Sequence, residues 1–331
     1  MATLFFYEKE CDILQKYIYN MLIIFIMSLT MSFTCNAKTD SITLLPRETY
    51  KVDIKNPTKM QWKSKDASVA TVNSKGKIKG INYGQTKIIG TKKNGEKYKL
   101  KVTVSNYKII PTGNKKYPNK AKVLTPSGKK TYKVYNQVGF GSSYLTQRGC
   151  SHSSAAMVMS AYGLNYTPMD VHNGSAKTKC SERYALKKLK KKVAVTGQSL
   201  SVYSISKILR NAGIKNHPVY QFTRKGATKE IEDNLRQGRP VLIMCHRKKV
   251  DGIKLANSYH FLVLVGIDQD GNAIVLNAAG GTVNTSQCTG KYKLPVKTLV
   301  KNHMWSCTGN KYKSFYFNGS ENYGGYIVID E

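Results

Sequence analysis

Acidic residues are scarce in this 331-residue sequence: 19 Asp and Glu stand against 53 Lys and Arg, a formal charge of +34. Such a surface repels cationic partners and favours polyanions, whether nucleic acid, anionic lipid headgroups or an anionic cell wall. Metal-site spacing is also missing. No CxxC or HExxH occurs, and Cys245-His246 are adjacent rather than at ligand spacing, so neither a zinc site nor any other cofactor is expected. The glycine-rich "GFGSS" (139–143) lacks the lysine of a phosphate loop and reads as a flexible loop. The basic run "RYALKKLKKK" (183–192) has no interleaved aromatics, so it reads as a solvated helix face and not as a nucleic-acid stacking platform. Long apolar runs are few. The longest, Met21 to Phe33, is too short for a comfortable membrane span.

What is present begins with that run. Lys16, the apolar stretch and small residues ending at Ala37 follow the n-, h- and c-region order of a secretory signal, with cleavage expected after Ala37. An uncleaved anchor is the alternative. Ser32 and Thr34 before Cys35 make a poor lipidation site. After cleavage no stable membrane span is expected, and an exported basic protein meets the anionic wall of a Gram-positive cell before it meets nucleic acid. A hydrophobic content of 41% excludes global disorder. Outside the signal, Cys150, Cys180, Cys245, Cys288 and Cys307 make an odd number, which implies at least one free thiol in an oxidising compartment. Cys245 ends the run "PVLIMC" and reads as a buried thiol.

From 41 to 104 the chain reads as short strands between turns. In "YKLKVTV" (98–104), Tyr98, Leu100, Val102 and Val104 alternate with polar residues, as on a half-buried antiparallel strand. Turn signals at 74–76, 82–84 and 93–95 recur about every ten residues, as in a β-sandwich. Trp62, Val69, Val72, Gly76, Ile78, Gly80, Gly84 and Ile88 are spaced in a way that resembles the bacterial immunoglobulin-like group 2 domain. Such domains serve as surface spacers or adhesive modules. Asn106 to Lys133 carries eight lysines, three prolines and no acidic residue, so residues 105–130 are expected to be a solvated basic linker.

From 131 to 331 the pattern is α+β. Helices are expected over "SHSSAAMVMSAYG" (151–163), 201–213 and 227–238, the first two stopped by Gly163 and Gly213. Strands are expected at 240–245, 259–267, 272–278 and 325–329, with "DQDG" as a hairpin signal. Cys150 opens the first helix, where free N–H groups and the helix dipole favour a thiolate. Its competing reading is a small hydrophobe packed at a helix start. His260 begins one strand, and Asn277 nearly ends its hairpin partner. A turn at Gln269-Asp270 or Asp270-Gly271 puts the two on one face, offset diagonally, where Asn277 can orient the imidazole. The small residues Gly149, Ser151, Ser153 and Ser154 are expected to leave room for a substrate backbone.

From about Tyr132 onward these residues resemble the papain-like fold of the double-glycine leader (bacteriocin-processing) peptidases, in particular their secreted, transporter-free relatives. The resemblance implies that Cys150 is the nucleophile, His260 the general base and Asn277 the orienting residue. Gln137 then matches the upstream glutamine that supplies an oxyanion donor, and Gln147 competes for that role. Two departures stand out: Ser151-His152 replace the family's Gly-Pro, and Asn277 stands where Asp is common. The expectation is a secreted cysteine peptidase acting on a peptide or protein through a thioester, behind an immunoglobulin-like module that meets the wall. The alternatives are an NlpC-type wall amidase or endopeptidase, and an inert wall-binding protein.

Overall fold

The computed structural model describes residues 40–114, 117, 119–173, 202–220, 222–245, 255, 260–283, 294–304, 316–317, 320–321 and 325–330. The signal-like segment, Cys180, Cys288, Cys307, His246 and the basic run 183–192 lie outside the described residues.

Seven short strands build the first module: β1 (Asp40–Leu44), β2 (Thr49–Lys51), β3 (Met60–Ser64), β4 (Ala70–Val72), β5 (Lys77–Gly80), β6 (Gly84–Lys92) and β7 (Lys97–Val104). They form a four-stranded sheet in the order β1-β7-β6-β3 and a three-stranded sheet in the order β2-β5-β4. Period-2 alternation explains why two sheets suffice. Leu100, Val102 and Val104 of β7 join Leu44, Ile78 and Ile88 in one core, while the lysines between them stay in water. Trp62 packs edge-on to Tyr98, with ring centroids 5.9 Å apart, and donates its indole N–H to Pro57 O at 2.8 Å. Gly90 lets the indole lie flat on β6, because a Cβ there would sit 2.8 Å from the ring.

The expected linker is folded. β8 (Tyr107–Pro111), β9 (Asn119–Thr125) and β10 (Gly128–Val134) form an antiparallel sheet in the order β10-β9-β8. Its lysines alternate with Ala121, Val123, Tyr132 and Val134, all essentially inaccessible and part of the second module's core. Composition alone suggested solvation; the alternation along β9 and the end of β10 buries every second side chain.

The second module continues with α1 (Ser143–Arg148), α2 (Cys150–Ala161), α3 (Pro168–Asn173), α4 (Val202–Asn211), β11 (Asn216–Val219), α5 (Arg224–Arg236), β12 (Val241–Cys245), β13 (His260–Ile267), β14 (Ala273–Asn277), β15 (Thr282–Val283), α6 (Val296–Thr298), β16 (Tyr316–Phe317), β17 (Ser320–Glu321) and β18 (Tyr326–Ile329). Strands β11-β18-β12-β13-β14-β15 make one antiparallel sheet. It is covered on both faces, so its strands are continuous apolar runs. Phe261, Val263, Leu242 and Ile327 face α2 and α4, whereas Leu262, Leu264, Ile243 and Val328 face α5 and α6. Residues 150–159 of α2 are all buried, so α2 is a core helix with no solvent face. Thr223 caps α5 by accepting from Gly226 N–H, which starts that helix three residues before the expected position.

Candidate active site

Cys150 owes its place to a tight elbow between two helices. Ser142 caps α1 through Leu145 N–H, and Gly149 N–H donates to Leu145 O at 2.8 Å. A Cβ on Gly149 would lie 2.4 Å from that carbonyl, so only glycine lets α2 start directly after α1. Cys150 thus heads α2 with its side chain 4% exposed. The smallness of Ser151, Ser153 and Ser154 serves packing: all three are fully buried within the protein itself, not lining open space as expected.

His260 and Asn277 come together through a β-bulge. The expected turn at Gln269-Asp270 is formed, with Gly271 N–H donating to Asp268 O at 3.0 Å, inside a loop one residue too long for a two-residue hairpin: Ile267 pairs with Ala273, and Asp268 N–H donates to Asn272 O. Counted regularly from Ile267, this pairing would set Asn277 opposite Val263 and on the other face from His260. The register shift between Leu264 and Gly266 leaves Val265 as an extra residue, so Leu262 faces Asn277 instead. His260 then sits diagonally from Asn277 on the same face. The Nε2–Oδ1 separation is 2.6 Å. Ala279 N–H also donates to Asn277 Oδ1, at 2.8 Å, and that contact admits only the oxygen. The imidazole Nε2 must therefore be the protonated donor, which turns Nδ1 to the thiol.

The electrostatics agree for both partners. Burial opposes ionisation of Cys150 most strongly. The His260 hydrogen bond and charge outweigh it, together with the N–H groups of Phe261 and Ser151, and hold the thiol below its ordinary value. Burial likewise disfavours charge on His260, yet the hydrogen bond and charge of Cys150, with Asn277 behind, raise its imidazole above the ordinary value. The opposed shifts move the two groups toward a thiolate–imidazolium pair. Cys245 is the contrast. It stands opposite His260 in the β12–β13 register, is also free, and is pushed far up by burial alone. Position next to a histidine is not enough; Cys245 lacks the hydrogen bond.

Gln137 lies just beyond β10, where its N–H donates to Ala278 O at 3.0 Å, one residue past Asn277. Its Nε2 gives one proton to Thr146 O at 2.9 Å and keeps a second. Gln147 sits exposed on α1. Sequence reasoning missed a ring cluster beside the thiol. Tyr144 stacks on His172 at 4.8 Å and meets His152 edge-on at 5.8 Å. Burial raises the Tyr144 phenol, Arg148 opposes that, and the nearby Cys150 charge adds to it. Ser151-His152 thus buries an imidazole against Tyr144 and His172, two residues past Cys150, where the resemblance led to proline. The only advance signal was that departure itself. Among the described residues no group of three or more His, Cys, Asp or Glu could hold a metal ion, and no helix is long and apolar enough to cross a membrane.

A helix-borne cysteine paired with a strand histidine, in an α+β domain behind a β-sandwich, defines a cysteine peptidase of papain-like fold. The model of the Peptidase_C39 like family matches residues 129–313, and the chain belongs to that family. The bacterial Ig-like domain (group 2) matches residues 45–104. No curated protein matches the chain. Among solved structures, a mutant of EHEC O157:H7 intimin is 20% identical, with a TM-score of 0.18, over 20% of this chain and 39% of that one. A double glycine motif protease from an AMS/PCAT transporter, in complex with the leader peptide, is 15% identical over 55% of this chain and 84% of that one, TM-score 0.28. The peptidase domain of Streptococcus ComA, a bi-functional ABC transporter, is 14% identical over 45% and 93%, TM-score 0.28.

Proposed function

We propose that this protein is an exported peptidase that cleaves a peptide or protein through a Cys150-His260-Asn277 triad. The observation that carries the reading is the hydrogen-bonded row in which Asn277 Oδ1 holds His260 Nε2 at 2.6 Å while His260 holds the Cys150 thiol. The Cys150 sulfur attacks the scissile carbonyl. The carbonyl oxygen becomes an oxyanion, which takes hydrogen bonds from the Cys150 backbone N–H and the second proton of Gln137 Nε2. His260 Nδ1–H passes its proton to the leaving amine, and the C–N bond breaks to leave a thioester. His260, now neutral, takes a proton from water as that water attacks the thioester; the C–S bond breaks, the carboxylic acid leaves, and the Cys150 thiolate and His260 imidazolium are restored. Asn277 keeps the ring aligned throughout. No metal or cofactor enters.

Export and an anionic Gram-positive wall as resting place rest on the signal-like segment and the charge of +34. The immunoglobulin-like module serves as the spacer. The deciding experiment labels the protein with a peptide acyl electrophile and maps the modified peptide, with protein and purified peptidoglycan compared as substrates. Acylation at Cys150 and cleavage of protein, both abolished by Cys150→Ala, are expected. No acylation at Cys150 would sink the triad, and cleavage of peptidoglycan alone would turn the reading to a wall amidase.

A further inference from the structure

The immunoglobulin-like module carries its charge in a specific place. Residues 41–104 include fifteen basic and four acidic side chains. On the outer face of β3, β6 and β7, Lys63, Lys87, Lys97, Lys99 and Lys101 are all exposed. Register arranges them in rows: Gln61–Thr91–Lys97, then Lys63–Ile89–Lys99, then Lys87 opposite Lys101. Strands lie ~4.8 Å apart and alternate residues ~6.7 Å apart, so these ammonium groups repel one another within a Debye length. Like charges directly opposite on a sheet destabilise it.

Among the described residues no acid is paired with them. Strands β3, β6 and β7 contain none, and β1 has a single one, Asp40 at its first position, which is paired with none of these lysines. Of the turn acids nearby, Glu96 is taken by Lys92 at 2.8 Å and Asp66 by Ser68. Among the described residues none of the five lysines has an ion pair. Helix α5 of the other module treats its cations differently. On α5, Lys229 meets Asp233 at 2.6 Å and Arg236 meets Glu232 at 3.8 Å. Solubility is served there by mixed charge, so the lysine-only face calls for an external anion.

We infer that the outer face of the β1-β7-β6-β3 sheet is the surface that docks a linear phosphodiester polymer of the cell envelope, a proposal that rests on the wall-held reading above. Lysine alone, with no arginine on the face, presents flexible point charges instead of planar forks. That suits repeating phosphate monoanions of no fixed orientation. Both aromatic residues of these strands, Trp62 and Tyr98, pack inward against each other, so the face offers no platform on which a nucleobase could stack.

The test uses the full chain on an immobilised poly(glycerol phosphate), with DNA, a polycarboxylate and phosphatidylglycerol vesicles as comparators. Lys63, Lys87, Lys99 and Lys101 are changed together to Gln. A control of equal net charge changes the exposed Lys215, Lys225, Lys297 and Lys301 of the other module. Retention is read against salt, and folding by thermal melting; a Lys→Arg version of the face shows whether charge alone is required. The face variant is expected to lose at least ~10-fold in affinity at about physiological salt, and its log–log salt slope to flatten by about three, while the control stays near wild type. Equal losses in the two variants would overturn the docking face and leave wall retention by general charge intact. A wild type that is not retained at all would sink the wall-held reading itself. Tighter binding to DNA or vesicles than to the polymer would also reject the proposal, and hydrolysis of a short peptide should be equal in all variants.

Discussion

Removing the imidazole from the nucleophile tests the site most directly. In His260→Ala the burial of Cys150 persists, and the hydrogen bond and charge that outweighed it are gone. The thiol should then titrate no lower than a free one. A thiol of pKa ~8.5 is only about 0.3% ionised at pH ~6, so a fully ionised wild-type thiol would exceed such a variant's thiolate by ~300-fold, and by more if burial raises the variant's thiol further. A stabilised thiolate is also a weaker nucleophile, since nucleophilicity falls with pKa with a slope of ~0.4–0.5, which trims the ratio. We expect iodoacetamide to alkylate wild-type Cys150 at least ~10-fold faster than the variant at pH ~6, with the gap closing as the pH passes ~8.5. The sign follows from the shifts: a lowered thiol keeps its thiolate as pH falls, until pH drops through the folded value. Cys245 is the internal control. Buried and pushed far up, it should stay unlabelled in both proteins until they unfold. Rates for Cys150 that match within about twofold at pH ~6 would refute the ion pair, and Cys150 would be a small residue packed at a helix head.

Gln137→Ala should lower kcat by ~10²–10³, as loss of one oxyanion donor does, while leaving Cys150 alkylation unchanged; Gln147→Ala should change neither, and the reverse result would exchange their roles. Gly90→Ala would push a Cβ to 2.8 Å from the Trp62 ring, so chemical denaturation should show the first module destabilised by about 1–3 kcal/mol with peptidase activity intact. Burial lowers the His217 pKa, but hydrogen bonds to Asp330 and Glu230 raise it further, above its ordinary value. Its stabilisation is therefore present below ~6.5 and lost as pH rises through the folded value. Half exposed, it contributes at most about 1 kcal/mol, so His217→Gln should cost stability at pH ~5.5 and nothing at pH ~8.5; an equal cost at both would dismiss the pairing with Asp330.

Much of the architecture was legible because the relevant signals are local. Alternation marked β7, and glycine stops marked the ends of α2 and α4, where Gly163 and Gly213 adopt positive φ. A cysteine after glycine, and a histidine and asparagine on paired strands, mark candidate chemistry by residue type and spacing alone. Reading 105–130 as linker failed because composition was weighed above alternation: Lys120 and Lys122 concealed Ala121 and Val123. The turn at Gln269-Asp270 does form, closed by Gly271 N–H on Asp268 O at 3.0 Å, but Gly271 adds a residue to the loop, so the ladder resumes at Ile267 and Ala273. His260 and Asn277 share a face because of the Val265 bulge, beside which a Cβ on Gly266 would crowd Ile274 and Val123 at 3.2 Å.

Sequence by itself determined the module order, the apolar strands, and which side chains could be nucleophile, base and orienting group. These depend on propensity and spacing, which act over a few residues. Tertiary structure decided which thiol is lowered and which is raised. Cys150 and Cys245 are both buried beside His260, and only the elbow at Gly149, the bulge in β13 and the Ala279 N–H on Asn277 aim the imidazole at one of them. The insertion of β18 between β11 and β12 is likewise a long-range pairing that no segment encodes alone. A thiol's ionisation is set by the balance of burial against a hydrogen-bonded charge, and that balance exists only once distant strands and the helix are in place.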